Sequence, residues 1–332
     1  MKVIKINKDE SLDWIEVADP IRGAGDVLIE IHAAAVNRAD LLQRAGKYPP
    51  PPGWPEWPGL EVAGVVVESP VDSHWKAGDR VCALLGGGGY AEQVVVPAEL
   101  VIPIPDGLSF AEAASLPEVF ATAWLNLVGE AHTQAGETVF IHAGASGVGT
   151  AAVQIARHLG AKTVTSVGGE AKVKLLQELK ADRIINHHQE DVGAVLDECA
   201  DAGQPVNVAL DCVGGNGLGE HIAKLAIGGR WVLIATLGGP TTELNLRAVL
   251  TRKLRLIGST LRSRSLAEKE QILSDLVENL WPKFESGEIR PVIHQVLPIE
   301  QADEAHRILQ SRENLGKVVL TIRDGAEAPI SA

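Results

Sequence analysis

Residues 138–156 read TVFIHAGASGVGTAAVQIA, and this stretch decides the fold. The apolar run at residues 139–141 predicts a buried parallel strand, and the glycine-rich segment after it opens a helix. Glycine lets a backbone approach a pyrophosphate closely, and the N–H groups and dipole at a helix N-terminus favour its negative charge. The usual pattern is G-x-G-x-x-G, but Ser146 stands at the middle glycine, so the motif needs support from its surroundings.

The next predicted strand supplies that support. Residues 162–167 read KTVTSV and lead into Gly168 and Gly169, where an NAD-specific site usually has an acidic residue for the ribose 2′-hydroxyl. Because no carboxylate stands there to repel a 2′-phosphate, and because Lys172 could pair with one, the segment predicts NADPH rather than NADH. Glu170 weakens this prediction, and the alternative interpretation is that Lys172 is an ordinary solvated helix residue.

Strand-like runs alternate with helical segments from about residue 117. The runs are residues 138–142, 162–167, 183–187, 206–212, 230–236 and 253–259. This alternation predicts an α/β fold with a Rossmann-type, doubly wound parallel sheet of six strands.

The remainder of the chain is β-rich. Strands are predicted at residues 27–33, 61–68, 79–84 and 92–96, and a strand-helix-strand pattern returns after residue 286. That last pattern is too short for its own core, so we expect residues 1–117 and 286–332 to form one substrate-binding and catalytic domain. Residues 118–285 would then be an inserted nucleotide-binding domain, and residues 324–332 a frayed end. The proline-rich residues 48–58 exclude helix and predict a rigid wall of the site.

Composition narrows the class of protein. The 332 residues carry a net charge of −13 without a dense run of Lys or Arg, so a nucleic-acid partner is unlikely on electrostatic grounds. Three widely spaced cysteines indicate neither a disulfide framework nor a metal cluster. The N-terminus lacks a signal-peptide pattern, and the longest uncharged run is better explained as strand, turn and helix than as a membrane span, so we expect a cytoplasmic protein without a membrane partner.

Four segments, in this order, resemble the medium-chain dehydrogenase/reductase superfamily. They are residues 37–53 (NRADLLQRAGKYPPPPG), 59–64 (GLEVAG), 142–149 (HAGASGVG) and 211–215 (DCVGG). The match is to the zinc-free quinone oxidoreductase branch, the zeta-crystallin-like proteins. The segments RSR at 262–264 and NLGK at 314–317 are similar to the tumour-suppressor-inducible quinone oxidoreductase group and its bacterial relatives. The resemblance implies that the β-rich domain is GroES-like.

The resemblance also implies that the chain has no catalytic zinc. Zinc-dependent members have Cys, His and Cys where this chain has Asn37, Leu60 and Glu118. An amide and a leucine at two of three positions do not make the tetrahedral set that zinc prefers. The adjacent His187 and His188 leave a fortuitous surface metal site as an alternative.

Three residues are implied to line a pocket beside the nicotinamide: Asn37, Asp40 and Tyr48. The Tyr48 hydroxyl would bond a quinone oxygen and Asn37 would orient it. Asp40 is equally explained as a carboxylate at the start of a helix, and Tyr48 by packing of the proline loop.

The resemblance places a second set of residues around the cofactor. Thr122 would lie near the carboxamide, and His187, which stands where relatives often have tyrosine, near the 2′-phosphate unless it is merely solvated. The full set is Thr122, Gly144, Ser146, Gly147, Val148, Gly149, Gly168, Gly169, Lys172, His187, Gly214, Leu237, Gly238, Leu315, Gly316 and Lys317.

The leading functional hypothesis is NADPH-dependent reduction of quinones, because a quinone accepts hydride without a Lewis acid. One alternative is a zinc-free reductase of enals or enoyl thioesters, and another is an NADPH-binding regulatory or structural protein. The run LRLIGST at residues 254–260 predicts an exposed edge strand, through which the resemblance implies a homodimer.

Overall fold

Residues 1–323 are described by the computed structural model; the predicted frayed end lies outside them. The strands are β1 (Lys2–Ile6), β2 (Leu12–Glu16), β3 (Asp26–Val36), β4 (Glu61–Glu68), β5 (Arg80–Leu84), β6 (Gln93–Pro97), β7 (Val101–Pro103), β8 (Thr138–His142), β9 (Lys162–Val167), β10 (Arg183–Asn186), β11 (Val206–Asp211), β12 (Arg230–Leu233), β13 (Arg255–Gly258), β14 (Ile293–Pro298) and β15 (Lys317–Thr321).

Helices connect these strands. The α-helices are α1 (Arg38–Arg44), α2 (Phe110–Ala114), α3 (Pro117–Trp124), α4 (Gly147–His158), α5 (Glu170–Glu178), α6 (Val192–Asp201), α7 (Gly215–His221), α8 (Leu246–Thr251), α9 (Leu266–Glu285) and α10 (Ala302–Ser311). A π-helical segment, Leu125–Glu130, follows α3, and short 3₁₀ turns are Ala98–Leu100, Ile222–Lys224 and Ile299–Gln301.

The chain divides into two units. The Rossmann unit is Thr122–Ser263, and the β-rich unit is Met1–Ala121 with Arg264–Ala332. The second boundary differs from the predicted one at residue 285, because α9 packs in the β-rich unit. Trp281 of α9 donates from Nε1 to the Pro103 carbonyl at 2.8 Å, and Phe284 meets the Phe120 ring edge-on. A helical pattern in a sequence does not reveal which sheet the helix covers.

The Rossmann unit contains the predicted six-stranded parallel sheet, in the order β10-β9-β8-β11-β12-β13. Phe140, Ile185 and Trp231 lie on three of its strands and are fully buried. Such a sheet is covered by helices on both faces, which explains the apolar runs of its strands. The predicted α/β fold is confirmed, and β13 lies at the sheet edge as predicted.

The β-rich unit is built on a mixed sheet in the order β14-β15-β3-β4-β5-β7, and β6 also pairs with β3. The C-terminal strand β15 runs antiparallel to β3, with Leu320 opposite Ala34. The strands β14 and β15 therefore join the sheet of β3 to β7, as predicted, whereas β1 and β2 pair in a two-stranded sheet of their own. This pairing also brings the start of β15 beside the end of β3, which positions the polar cluster described below.

Within residues 1–323, no helix is both long and apolar enough to cross a membrane.

Candidate active site

The turn between β8 and α4 holds the glycine-rich segment. Ala143 has a φ of +55°, in the left-handed region, which costs a residue with a side chain about 1 kcal/mol. Ser146 caps α4, and its Oγ accepts a hydrogen bond from the Gly149 N–H at 3.0 Å. Gly147 and Val148 are the first two residues of the helix, so their N–H groups have no acceptor within it. Both residues are partly exposed, and N–H groups in this position suit an anion.

Gly149 permits the close approach of α4 to this turn. A Cβ atom at that position would lie 2.4 Å from the Ala143 carbonyl oxygen and 2.6 Å from that of Gly144. Gly144 is itself crowded, because its Cβ would lie 2.9 Å from Thr165 Cβ. The structure thus brings the predicted loop residues together in the form that a pyrophosphate requires, while their contact with a cofactor stays a prediction.

A second turn follows β9. Gly169 caps α5, and its N–H donates to Asn186 Oδ1 at 3.3 Å. The Glu170 carboxylate accepts hydrogen bonds from Asn186 Nδ2 and Gln189 Nε2, each at 3.2 Å. These bonds engage Oε1 of Glu170 at the start of its own helix.

Two imidazoles lie against this second turn. A Cβ atom at Gly168 would lie 2.9 Å from Nε2 of both His187 and His188. The pKa of His187 is lowered, first by partial burial of the ring and then by the charges of His188, His142 and Lys172. The lowered pKa favours the neutral form of His187, which can still donate a hydrogen bond to a phosphate.

The carboxyl ends of β8 and β11 carry an unpredicted pair. Asp211 is fully buried and accepts from His142 Nδ1 at 3.0 Å, from the Val213 N–H at 2.7 Å and from Trp231 Nε1 at 3.0 Å. Burial raises the pKa of Asp211, but these hydrogen bonds outweigh it and the pKa is lowered. An ionised Asp211 requires a proton on Nδ1 of His142. The pair spans the point where strand order reverses, where such sheets bind ligands.

The loops after β11 and β12 lie side by side. Gly214 forms a parallel bridge with Gly239, and the Gly238 N–H donates to the Val213 carbonyl at 2.7 Å. The neighbouring Leu237 side chain is 40% exposed. The structure therefore places the predicted residues Gly214, Leu237 and Gly238 together at one edge of the sheet.

A buried polar cluster lies in the β-rich unit, where β3, β4 and β15 meet. Glu61 is fully buried, and the Lys317 ammonium forms an ion pair with its Oε1 at 2.7 Å. Lys317 Nζ also donates to Asn37 Oδ1 at 2.7 Å and to the Val36 carbonyl at 2.8 Å. All three ammonium donors are then used. The Lys317 ammonium therefore has no N–H left to donate to a cofactor.

Asn37 is held in the same cluster. Its Nδ2 donates to Glu61 Oε1 at 2.9 Å and to the Ala35 carbonyl at 3.3 Å. Both hydrogens of the amide have acceptors, so Asn37 has no donor left with which to orient a quinone oxygen. Its clearest effect is to fix the Glu61 and Lys317 side chains.

Asp40 is fully buried near the start of α1. It accepts hydrogen bonds from the N–H groups of Asn37 at 2.7 Å and Gly59 at 3.0 Å, and from the Tyr90 hydroxyl at 3.2 Å. Burial raises its pKa to about 6, against the opposing effect of the two backbone bonds and Lys317. These contacts match the interpretation of Asp40 as a helix-start carboxylate, and a direct catalytic role stays a hypothesis.

The other predicted residues lie on different elements of the chain. Tyr48 is half-buried after α1, and Thr122 lies in α3, where its carbonyl accepts from Asn126 Nδ2 at 2.7 Å. Leu315 and Gly316 precede β15, and a Cβ at Gly316 would lie 2.2 Å from the Val292 carbonyl oxygen. The roles of these four residues toward substrate and cofactor stay predictions.

The sequence reasoning missed two contacts: the ion pair of Glu61 with Lys317 and the pair of His142 with Asp211. All four residues lay in the segments GLEVAG, NLGK, HAGASGVG and DCVGG, but nothing in the sequence paired them.

Comparisons with known proteins agree with this geometry. Residues 23–106 match the alcohol dehydrogenase GroES-like domain, and residues 147–279 match the zinc-binding dehydrogenase family. Mouse quinone oxidoreductase is 32% identical over 326 residues, which cover 97% of this chain and 94% of that protein. The chain belongs to the medium-chain dehydrogenase/reductase superfamily. It is accordingly an oxidoreductase that depends on a pyridine nucleotide.

Two solved members show the same architecture. The quinone oxidoreductase of Thermus thermophilus, also solved with NADPH, is 31% identical with a TM-score of 0.81, covering 97% of this chain and 100% of that one. The CurK enoyl reductase is 28% identical with a TM-score of 0.82, covering 97% and 99%. In residues 1–323, three or more His, Cys, Asp or Glu side chains nowhere form a group suited to a metal ion; zinc independence stays a prediction.

Proposed function

We propose that this chain reduces quinones with NADPH, by hydride transfer and without zinc. The observation that carries the proposal is the Lys317 ammonium, 2.7 Å from Asn37 Oδ1 and 2.7 Å from Glu61 Oε1. A cation already occupies Asn37 Oδ1, at one of the positions where the resemblance places a zinc ligand, and the neighbouring Glu61 carboxylate. A second, divalent cation there would be repelled and would find an amide and a leucine instead of thiolate and imidazole.

The cofactor half of the proposal rests on the two turns of the Rossmann unit. The amides of Gly147 and Val148 suit a pyrophosphate, and the Gly168–Gly169 turn has no carboxylate to repel a 2′-phosphate. Glu170 is held by Asn186 and Gln189. Relatives with quinone in their names, and a structural neighbour solved with NADPH, support the same assignment.

The residues of the proposed site would then have separate roles in the reaction. Bound NADPH supplies the hydride. The Tyr48 hydroxyl would donate to a quinone oxygen, while Asn37 and Glu61 would hold Lys317 and keep the cluster rigid. Such positioning is how a protein without a metal speeds the reaction.

The test is NADPH oxidation by the purified protein with ortho-quinones, para-quinones and enals, with NADH as the matched cofactor control. We expect turnover with a quinone and a lower KM for NADPH than for NADH. Turnover with enals alone would favour the second candidate, an enoyl-type reductase, which the likeness to the CurK enoyl reductase supports. Tight NADPH binding without turnover of any acceptor would favour a binding protein.

We also propose a homodimer through β13. Leu256 on this edge strand is 45% exposed, and Leu246 and Leu250 of α8 are 73% and 78% exposed. Exposed apolar side chains beside an unpaired strand edge suit a second copy of the chain. Sedimentation should give twice the mass of the monomer, and Leu256→Lys should shift it toward the monomer.

A further inference from the structure

A cavity of about 370 Å³ lies within the β-rich unit, between the proline-rich loop at residues 52–57 and strand β6. It is separate from the site described above, because none of the predicted catalytic or cofactor-binding residues lines it. Its volume is at the lower end of the range for ligand sites, about 300–1,000 Å³. It therefore suits one aromatic ring with a short side chain rather than a dinucleotide.

The wall of this proline–tryptophan cavity is fixed by close packing. Trp54 lines the cavity, and a Cβ atom at Gly86 would lie 2.6 Å from Nε1 and 2.7 Å from Cδ1 and Cδ2 of its indole. Three atoms of the five-membered ring are thus nearly equidistant from that position, so Gly86 covers one face of the ring. The opposite face is the one that Trp54 can offer to a ligand.

A second tryptophan of the wall is held by a hydrogen bond. Trp57 Nε1 donates to the Gly88 carbonyl at 3.0 Å. Gly88 has a φ of +96°, and a Cβ atom there would lie 2.9 Å from Pro55 Cγ. All three residues line the cavity, and the proline rings of the loop restrict its backbone further. A wall fixed in this way is formed before a ligand arrives, which lowers the entropy cost of binding.

The charge of the cavity comes from two of its lining residues, Met1 and Asp26. The Met1 ammonium is 3% exposed and forms an ion pair with Asp19 Oδ1 at 2.6 Å, so its charge is matched. The Asp26 carboxylate accepts a hydrogen bond from the Gly23 N–H at 3.1 Å. Within residues 1–323, Asp26 has no ion-pair partner.

The cation closest to Asp26 in sequence has other partners. Arg22 donates to the carbonyls of Gly23 at 3.0 Å and Asp26 at 3.1 Å, and its Nε pairs with Glu68 at 3.4 Å. The Asp26 carboxylate is thus the unmatched charge of the cavity, in a protein whose net charge is −13. Both a carboxylate and the face of an indole ring attract a cation.

We propose that the proline–tryptophan cavity binds a small organic cation, an ammonium group on a short aromatic or aliphatic body. The ammonium group pairs with the Asp26 carboxylate. The apolar body packs on the open face of Trp54 and on the rings of Pro52 and Pro55. Ile21, which lines the same cavity and is 94% exposed, covers more of that body. The inference goes beyond the proposed function and does not depend on it.

The experiment is a titration of the untagged protein with benzylamine, which is cationic at pH 7, followed by ligand-observed NMR. Benzyl alcohol is the uncharged control ligand. We expect saturable binding of benzylamine, about tenfold tighter than that of benzyl alcohol. Asp26→Asn should abolish this preference and keep the wild-type melting temperature, and Trp54→Ala should weaken both ligands. Asp72→Asn, an exposed carboxylate outside the cavity, should bind like the wild type.

Three outcomes would overturn the assignment. The first is equal affinity for benzylamine and benzyl alcohol, or a preference that survives Asp26→Asn. The second is a lack of saturation at about 10 mM benzylamine, a concentration that would fill even a weak specific site. The third is displacement of benzylamine by NADPH, which would mean that the amine binds in the cofactor site instead.

Discussion

In the Rossmann unit the proposed anion site is made of backbone groups from residues 143–149, whereas the polar cluster of the β-rich unit is made of side chains far apart in sequence. Asn37 and Lys317, which share a hydrogen bond of 2.7 Å, are 280 positions apart. The shape of the first region depends on the lack of a side chain at Gly149. The stability of the second depends on the pairing of the Lys317 ammonium with the Glu61 carboxylate. The two regions should therefore fail for different reasons when they are altered.

The largest effect is expected from Lys317→Met. The substitution leaves the fully buried Glu61 carboxylate without its cation, and breaking a buried pair in this way costs about 3–5 kcal/mol. Urea denaturation at pH 7 measures this loss in the free energy of unfolding. The matched control is Lys283→Met, whose ion pair with Glu288 is more exposed and should contribute under about 1 kcal/mol. Equal losses in the two variants would mean that the cluster is not a buried charged unit.

The turn between β8 and α4 should instead be sensitive to added side-chain volume. In Gly149→Val the new side chain would overlap the Ala143 and Gly144 carbonyl oxygens, which lie 2.4 and 2.6 Å from the Cβ position. The displaced turn should weaken NADPH binding about a hundredfold, close to 3 kcal/mol. Calorimetric titration with NADPH checks this. Gly217→Ala, where the nearest atom of another residue is 3.7 Å from the Cβ position, should bind normally. Unchanged NADPH affinity in Gly149→Val would mean that this turn does not bind the cofactor.

The pH dependence of stability tests the protonation of Asp40 in the buried cluster. Its folded-state pKa of about 6 lies above its unfolded value of about 4, so at pH 5 the folded chain holds a proton that the unfolded chain has lost. The free energy of unfolding should therefore fall as pH rises from about 4 to about 6, by about 2 kcal/mol. Asp40→Asn should lack this fall, and Asp106→Asn, on an exposed loop, should keep it. Parallel curves for wild type and Asp40→Asn would contradict the raised pKa.

The smallest effect is expected at Tyr48. If its hydroxyl donates to a quinone oxygen, Tyr48→Phe should lower kcat about tenfold, or about 1.4 kcal/mol, and leave NADPH affinity unchanged. Steady-state kinetics with a quinone, together with NADPH titration, separate the two effects. An unchanged kcat would mean that Tyr48 only packs against the proline-rich loop.

The fold was largely predictable because its signals are local. Alternating apolar runs predicted all six Rossmann strands, and the glycine spacing at residues 144–149 predicted the turn and the start of α4. The assignment of α9 differed, because Trp281 and Phe284 reveal their sheet only through the tertiary contacts with Pro103 and Phe120.

The site was predictable only in part. Ser146 and Gly149 act within one turn, so their geometry follows from their spacing. Lys317 was assigned to the cofactor from a neighbouring motif, yet β15 carries its ammonium group to Glu61 on β4. Glu118 was noted only as a substituted ligand position, because its backbone hydrogen bond to Glu61, 57 positions away, cannot be seen in the sequence.

The most direct test of a metal-free, coenzyme-driven site is quinone reduction by protein dialysed against a strong chelator, with zinc content measured on the same sample. We predict full NADPH-dependent turnover with far less than one zinc per chain. One tightly held zinc per chain, whose removal abolishes turnover and whose return restores it, would contradict the account.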